Sequence, residues 1–192
     1  MDQKLKNDNL PLALNRLGII HEAKKNYSQA VKCFADAIEV LLEIDPSGQK
    51  SSLVGLLQST TQSLARNEAR AGEYHLAIQH YHQHMELVPV EMTTIAEDLF
   101  QIANIYGRIQ ANEDAIENYK KSLSIWREEK DDKRVAKVVF NMSMIYEKKA
   151  DFNSAKESLG EVSQTFKQPN DLILLIFEIK FCTHYTPSIY LP

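Results

Sequence analysis

The chain has 192 residues, which is enough for one ordinary domain or one short array of repeats. It contains only six glycines and six prolines, which disfavours the frequent turns of a sheet-rich fold and predicts an all-α protein. A formal charge of −4 argues against a nucleic-acid partner, and no apolar run reaches the roughly 18 residues that a membrane-spanning helix needs.

The periodicity of apolar residues predicts eight helices in four consecutive pairs. Their expected bounds are 10–24, 27–44, 50–70, 73–88, 92–110, 112–129, 132–149 and 152–167. Pro11 is expected to open the first helix, and no proline is expected inside any helix. Asp131 or Asp132 is expected to cap the seventh helix.

The four pairs share one sequence pattern, which indicates an internal repeat. Each second helix carries an alanine near its start, and a large apolar residue follows four positions later. The alanines are Ala30, Ala77, Ala115 and Ala155, and the apolar residues are Phe34, Tyr81, Tyr119 and Leu159. Thirteen residues before each alanine, a large apolar residue precedes a small one, at Leu17-Gly18, Leu64-Ala65, Ile102-Ala103 and Met142-Ser143. Three positions after the small residue, His21, Tyr106 and Tyr146 are aromatic or related, and Glu68 is the exception.

This pattern resembles the tetratricopeptide repeat (TPR), a helical hairpin whose small residues let two helices approach closely. The alanine spacings of 47, 38 and 40 residues and the charged link from Trp126 to Asp132 are similar to the long repeats of kinesin light chains and LGN/Pins adaptors. The resemblance implies a right-handed α-α superhelix, a TPR solenoid, of four hairpins plus a C-terminal helix. The array is expected over residues 9–168, divided at about 9–47, 48–90, 91–130 and 131–168.

The resemblance also implies a non-catalytic scaffold or adaptor that binds an extended peptide in the groove lined by the first helix of each pair. The sequence contains no phosphate-binding loop, G-x-S-x-G or H-E-x-x-H motif, so neither enzyme activity nor a cofactor is expected. Two alternatives remain open: a structural subunit of a cytoskeletal, ciliary or other large assembly, and a peptide-sensing regulatory module. The two cysteines and the absence of an apolar signal sequence in MDQKLKNDNL predict a cytoplasmic protein.

Candidate peptide-binding cations occupy one face of the first helices. They are Arg66, Arg70, Arg108, Lys137 and Lys148. Stacked repeats would align them into a positive stripe that attracts an acidic peptide. The competing interpretation is a solvated charged face, partly neutralised by Glu22, Glu97 and Glu147.

Candidate amide contacts come from Asn104 and Asn141, which match positions where the resembling repeats place asparagines that bind a peptide backbone. Asn15, Gln62 and Gln101 extend this predicted row. The clamp that holds the C-terminal carboxylate of chaperones is not expected, because Asn15 and Ile19 stand where that clamp needs Lys and Asn.

Two further features have more than one interpretation. His80 and His84 are spaced like a two-ligand metal face, but packing is preferred for His84 and no metal is expected. Residues 172–181, within a predicted extra helix and tail at 169–192, are apolar nearly all round, whereas a terminal solenoid helix normally has a polar outer face. The preferred interpretation is a truncated fifth repeat, and the alternatives are a self-association surface or an anchor on a membrane surface.

Overall fold

The computed structural model describes residues 3–47, 51–87 and 90–165, and the regular secondary structure in these ranges is entirely α-helical. The helices are α1 (Gln3–Ala23), α2 (Tyr27–Ile44), α3 (Ser51–Ala71), α4 (Tyr74–Glu86), α5 (Met92–Arg108), α6 (Asn112–Glu128), α7 (Asp132–Lys148) and α8 (Phe152–Thr165). The predicted bounds are confirmed to about two residues for every helix except the start of the first. The predicted extra helix and tail at 169–192 lie outside the described residues.

The prediction that Pro11 opens the first helix is wrong. Helix α1 begins at Gln3, so Pro11 lies inside it. Proline has no N–H to donate to the carbonyl four residues earlier, and the helix lacks one hydrogen bond there. Pro11 is buried on the same helix face as Asn15 and Gly18, and this tertiary burial outweighs the lost hydrogen bond.

The helices belong to two compact units, Met1–Glu91 and Met92–Pro192. The first unit contains α1 to α4 and the second contains α5 to α8, and within each unit every helix packs against the next one along the chain. Each unit therefore consists of two helical hairpins, built from a first helix (α1, α3, α5 or α7) and a second helix (α2, α4, α6 or α8).

The short turns that end the helices use a residue with positive φ. Lys25 has φ 60°, and the N–H of Asn26 donates to the carbonyl of His21 over 2.9 Å, which is the Schellman arrangement. Equivalent positive-φ residues are Gly72, Gln110, Lys130 and Ala150. Since only Gly72 lacks a Cβ, the other four turns carry a left-handed backbone conformation that disfavours side chains. Asp131 caps α7 as expected, because its carboxylate accepts from the N–H of Arg134 over 3.0 Å.

The repeat pattern explains the cores of both units. All four anchor alanines are buried, as are Phe34, Tyr81 and Tyr119 four residues after them, whereas Leu159 is 39% exposed. In the second unit, α5, α6 and α7 enclose a core that contains Trp126, Tyr119 and Phe100. In the first unit, Phe34 packs with Ala30 and Leu64, and burial, with a contribution from Asp36, raises the pKa of the Cys33 thiol.

Gly18 permits the closest approach of α1 to α2, and this contact yields a stability prediction. A Cβ at position 18 would lie 2.6 Å from Cε1 of the fully buried Phe34 ring. We expect Gly18→Ala to lower the free energy of unfolding by about 1 kcal/mol, because overpacking costs about 1–3 kcal/mol and the gain in helix propensity returns about 1. Urea unfolding followed by circular dichroism measures the change.

Gly55 provides the matched control, since it also lies inside a helix but a Cβ there would meet no atom within 4 Å. Gly55→Ala is expected to raise the free energy of unfolding by about 0.5–1 kcal/mol. An equal gain in both variants would contradict the close approach at Gly18.

Candidate peptide-binding surface

One face of each first helix is defined by the positions 18, 14, 11 and 7 residues before the anchor alanine, which lie about one turn apart. We call it the groove face. It comprises Leu12, Arg16, Ile19 and Ala23 on α1; Ser59, Ser63, Arg66 and Arg70 on α3; Glu97, Gln101, Asn104 and Arg108 on α5; and Lys137, Asn141, Met144 and Lys148 on α7. Every one of these residues is exposed or half-buried, so the face is open to solvent on all four helices. Eight of the ten predicted site residues lie on it.

On α5, hydrogen bonds orient the amide side chains of the groove face. The Tyr119 hydroxyl, from α6, donates to Oδ1 of Asn104 over 2.6 Å. Nε2 of Gln101 donates to Glu97 over 2.7 Å, whereas Nδ2 of Asn104 makes only a long contact of 3.5 Å with Gln101. Asn104 is therefore held by its carbonyl and has its N–H donors available for a ligand.

Tyr119 is a positioning residue that the sequence analysis assigned only to packing. It occupies the position four residues after the anchor alanine, where Phe34 serves the first repeat. The hydroxyl that distinguishes Tyr119 from Phe34 is the signal that, together with Asn104, points to this contact.

The groove face of α7 lies beside that of α5 in the second unit. Helices α5 and α7 are in contact, and Nζ of Lys137 lies 4.4 Å from the centre of the Phe100 ring on α5, which is a cation–π distance. Asn141 is half-buried and has no hydrogen-bond partner among the described residues. Arg108 is half-buried and has no ion pair within the described part of the chain, and Lys148 is exposed.

In the first unit, the predicted cations converge on one acidic side chain. Oε1 of Glu22, on α1, lies 3.3 Å from Nε of Arg66 and 2.6 Å from Nη1 of Arg70. The guanidinium of Arg70 also lies 5.7 Å from the centre of the Tyr27 ring. Partial neutralisation by Glu22 is therefore what the structure contains, although the two arginine side chains remain 41% and 43% exposed.

Asn15 and Gln62 lie off the groove face. Asn15 is 7% exposed, and its Nδ2 donates to Oγ1 of Thr60 over 2.7 Å, which joins α1 to α3. Gln62 is half-buried on α3, next to the groove-face residue Ser63. The structure thus gives Asn15 an interhelical hydrogen bond in the interior instead of a solvent-facing amide.

The histidine pair of α4 has a structural environment of its own. Nδ1 of His80 lies 2.7 Å from Oε2 of Glu68 on α3, and the Glu68 side chain is only 4% exposed. His84 is buried. The described residues contain no group of three His, Cys, Asp or Glu side chains placed to hold a metal ion. Glu68, the exception to the aromatic position of the repeat, is accounted for by its contact with His80.

Two segments of the chain match the family model of the tetratricopeptide repeat, residues 12–40 and 136–164. They cover most of the hairpins α1–α2 and α7–α8. A comparison with curated proteins gave no significant match. Within the described ranges, none of the helices has the length and apolar character needed to cross a bilayer.

Solved structures with the same architecture include BtubC (BKLC) from P. vanneervenii, which is 17% identical with a TM-score of 0.65 over 92% of this chain and 73% of that one. A putative kinesin light chain from Podosopora anserina with TPR-like repeats is 12% identical, with a TM-score of 0.65 over 92% and 96%. The apo form of RapI is 13% identical, with a TM-score of 0.69 over 84% of this chain and 45% of that one. The chain therefore spans less than half of RapI, and at these identities the likeness concerns the fold.

The fold defines a class first: an all-α protein built from repeated helical hairpins, as in solenoids. With the matches to the repeat model, the chain is a tetratricopeptide-repeat protein, and its structural neighbours are kinesin-light-chain-like.

Proposed function

We propose that this chain is an interaction scaffold that binds an extended peptide across the groove faces of α5 and α7. The tetratricopeptide repeats support the general role of a protein-interaction scaffold. The observation that carries the specific proposal is the pair of Asn104 and Asn141, one oriented by Tyr119 and the other half-buried without a partner among the described residues.

The spacing of the two helices suits a peptide backbone. Packed helix axes lie about 8–10 Å apart, and an extended chain advances about 3.3 Å per residue. A peptide that crosses α5 and α7 therefore passes from Asn104 to Asn141 in about three residues. Side-chain amides both donate and accept, so they bind a backbone without requiring a particular side chain.

The charges on the same faces favour an acidic peptide. Arg108 follows Asn104 by one turn on α5, and Lys137 and Lys148 flank Asn141 on α7. Glu97 is the acidic residue on these two groove faces, and Gln101 donates a hydrogen bond to it. In the first unit, a ligand carboxylate would compete with Glu22 for the exposed arginines, and a solvent-exposed ion pair of this kind contributes at most about 1 kcal/mol. A continuous stripe formed by Arg66, Arg70, Arg108 and Lys148 stays a prediction.

The experiment uses peptides selected by the full chain from a random display library, with affinities measured by fluorescence anisotropy. We expect Asn104→Ala and Asn141→Ala each to raise the Kd about 5- to 10-fold, the loss of one net hydrogen bond of about 1–1.5 kcal/mol. Asn118→Ala is the matched control, because Asn118 lies on α6 and donates to the Asp114 carbonyl in its own helix. Equal affinities for all three variants would contradict the proposed site.

Charge reversal tests the acidic-peptide part separately. Arg108→Glu is expected to weaken binding of the selected peptide and to flatten the dependence of its Kd on salt concentration, since exposed charge interactions are screened by ions. Unchanged binding after reversal of both Arg70 and Arg108 would contradict the preference for acidic peptides and leave the amide contacts to be judged on their own.

A further inference from the structure

Helix α1 exposes a second apolar stripe, separate from its groove face. Leu10, Ala13, Leu17 and Ile20 follow one another at intervals of three and four residues, so they share one side of the helix. We call this stripe the end face. Leu10 is 45% exposed, Leu17 is 44% exposed and Ile20 is 50% exposed.

The equivalent residues of later repeats are buried under the preceding second helix. On α3 they are Leu57, Thr60, Leu64 and Asn67, and on α7 they are Val135, Val138, Met142 and Ile145. Leu64 packs with Ala30 and Phe34 of α2, and the α7 residues pack in one core with Tyr119 and Trp126 of α6. In both units, therefore, this side of a first helix is the side that receives another helix.

The end face of α1 has the composition of a buried surface without the cover. The outward side of a terminal repeat normally carries polar residues, since no neighbour shields it from water. The covering helix α6 shows what the cover consists of: apolar residues at intervals of three and four, at Ile116, Tyr119, Leu123 and Trp126.

One segment of this chain has that chemistry and lies outside the described residues. Residues 172–181 read LILLIFEIKF, in which only Glu178 and Lys180 are charged. Ten residues in a helix extend about 15 Å, the distance from Leu10 to Ile20 along α1. Since each repeat of a solenoid contacts only its neighbours, a segment that follows the fourth repeat meets the first helix of another copy instead of its own.

We infer that the end face of α1 binds residues 172–181 of a second copy of the chain. The contact joins two different surfaces, so it is head-to-tail, and each bound copy presents a further free end face and a further free segment. The chain should therefore form a series of oligomers whose mean size grows with concentration, instead of a closed dimer.

Sedimentation velocity of the full-length chain over a hundredfold range of concentration tests this inference. We expect the mean sedimentation coefficient of the wild type to rise with concentration. Leu17→Lys combined with Ile20→Lys (the end-face variant) and Leu175→Lys combined with Ile176→Lys (the segment variant) are each expected to remain monomeric. Leu12→Lys combined with Ile19→Lys is the matched control, because both residues are exposed on α1 but lie on its groove face, and it should behave as the wild type.

A mixture of the two variants gives the sharpest outcome. The intact segment of the end-face variant should bind the intact end face of the segment variant, so the equimolar mixture is expected to form a one-to-one dimer and nothing larger. A monomeric wild type, a mixture that stays monomeric, or a segment variant that still associates would each overturn the inference. Circular dichroism verifies that the exposed substitutions leave the helices folded. The peptide affinities described above do not depend on this contact, so either proposal can fail without the other.

Discussion

Trp126→Ala is expected to lower the free energy of unfolding by about 3–5 kcal/mol, the cost of removing a large aromatic side chain from a packed core. Trp126 is 2% exposed at the end of α6 and packs in the core that α7 completes. The resulting cavity would adjoin side chains that are already fixed by α5 and α7, so it cannot collapse easily. Because Trp126 is the single tryptophan, unfolding is followed by circular dichroism instead of fluorescence.

Arg134→Met separates the packing of Trp126 from its interaction with a charge. The guanidinium of Arg134 lies 4.2 Å from the centre of the Trp126 ring, and the side chain is largely solvent-accessible. Loss of this cation–π contact is expected to cost about 0.5–1 kcal/mol. If the tryptophan variant lost no more stability than the arginine variant, the second unit would lack the close-packed core described for it.

The second large effect is expected at the buried pair Glu68 and His80. His80→Leu should lower the free energy of unfolding by about 2–3 kcal/mol, since it removes the hydrogen-bond partner of a carboxylate that is 4% exposed. Glu68→Leu combined with His80→Leu should recover part of that loss, because no buried charge then remains unpaired. The coupling energy from the four unfolding curves is expected to exceed about 1 kcal/mol.

The ion pair of Glu117 and Lys121 is the control for this cycle. It has a similar distance of 2.7 Å, but the side chains are 64% and 56% exposed on α6. Lys121→Ala is expected to change the free energy of unfolding by less than about 0.5 kcal/mol. Additive effects of the two substitutions at Glu68 and His80 would show that the buried contact contributes no more than this exposed pair.

The helices and their pairing could be predicted because the repeat writes the same packing requirement into the sequence four times. An alanine at each close approach and a large side chain four residues later constrain the register of every hairpin, and all four alanines are buried as that pattern demands. Pro11 was misplaced because a local propensity rule was applied where tertiary burial decides the outcome.

The candidate site was predicted less completely, since its chemistry depends on contacts between helices. The positions of Asn104, Asn141 and Arg108 followed from the repeat register, whereas the hydrogen bond from Tyr119 joins residues on two helices and has no signature in either one. Asn15 resembled a groove amide by residue type, yet it lies on the buried side of α1, bonded to Thr60. The exposed end face was also missed, because a periodic apolar pattern predicts that residues are buried and does not reveal which neighbour is missing.

The central claim is that an extended peptide binds across the groove faces of α5 and α7. Nuclear magnetic resonance of the side-chain amide groups tests it most directly, by titrating the isotope-labelled chain with a peptide selected from the library. The account predicts that the NH2 signals of Asn104 and Asn141 shift together and saturate at the same Kd, while that of Asn118 on α6 stays in place. Saturable shifts elsewhere, with Asn104 and Asn141 unchanged, would contradict it.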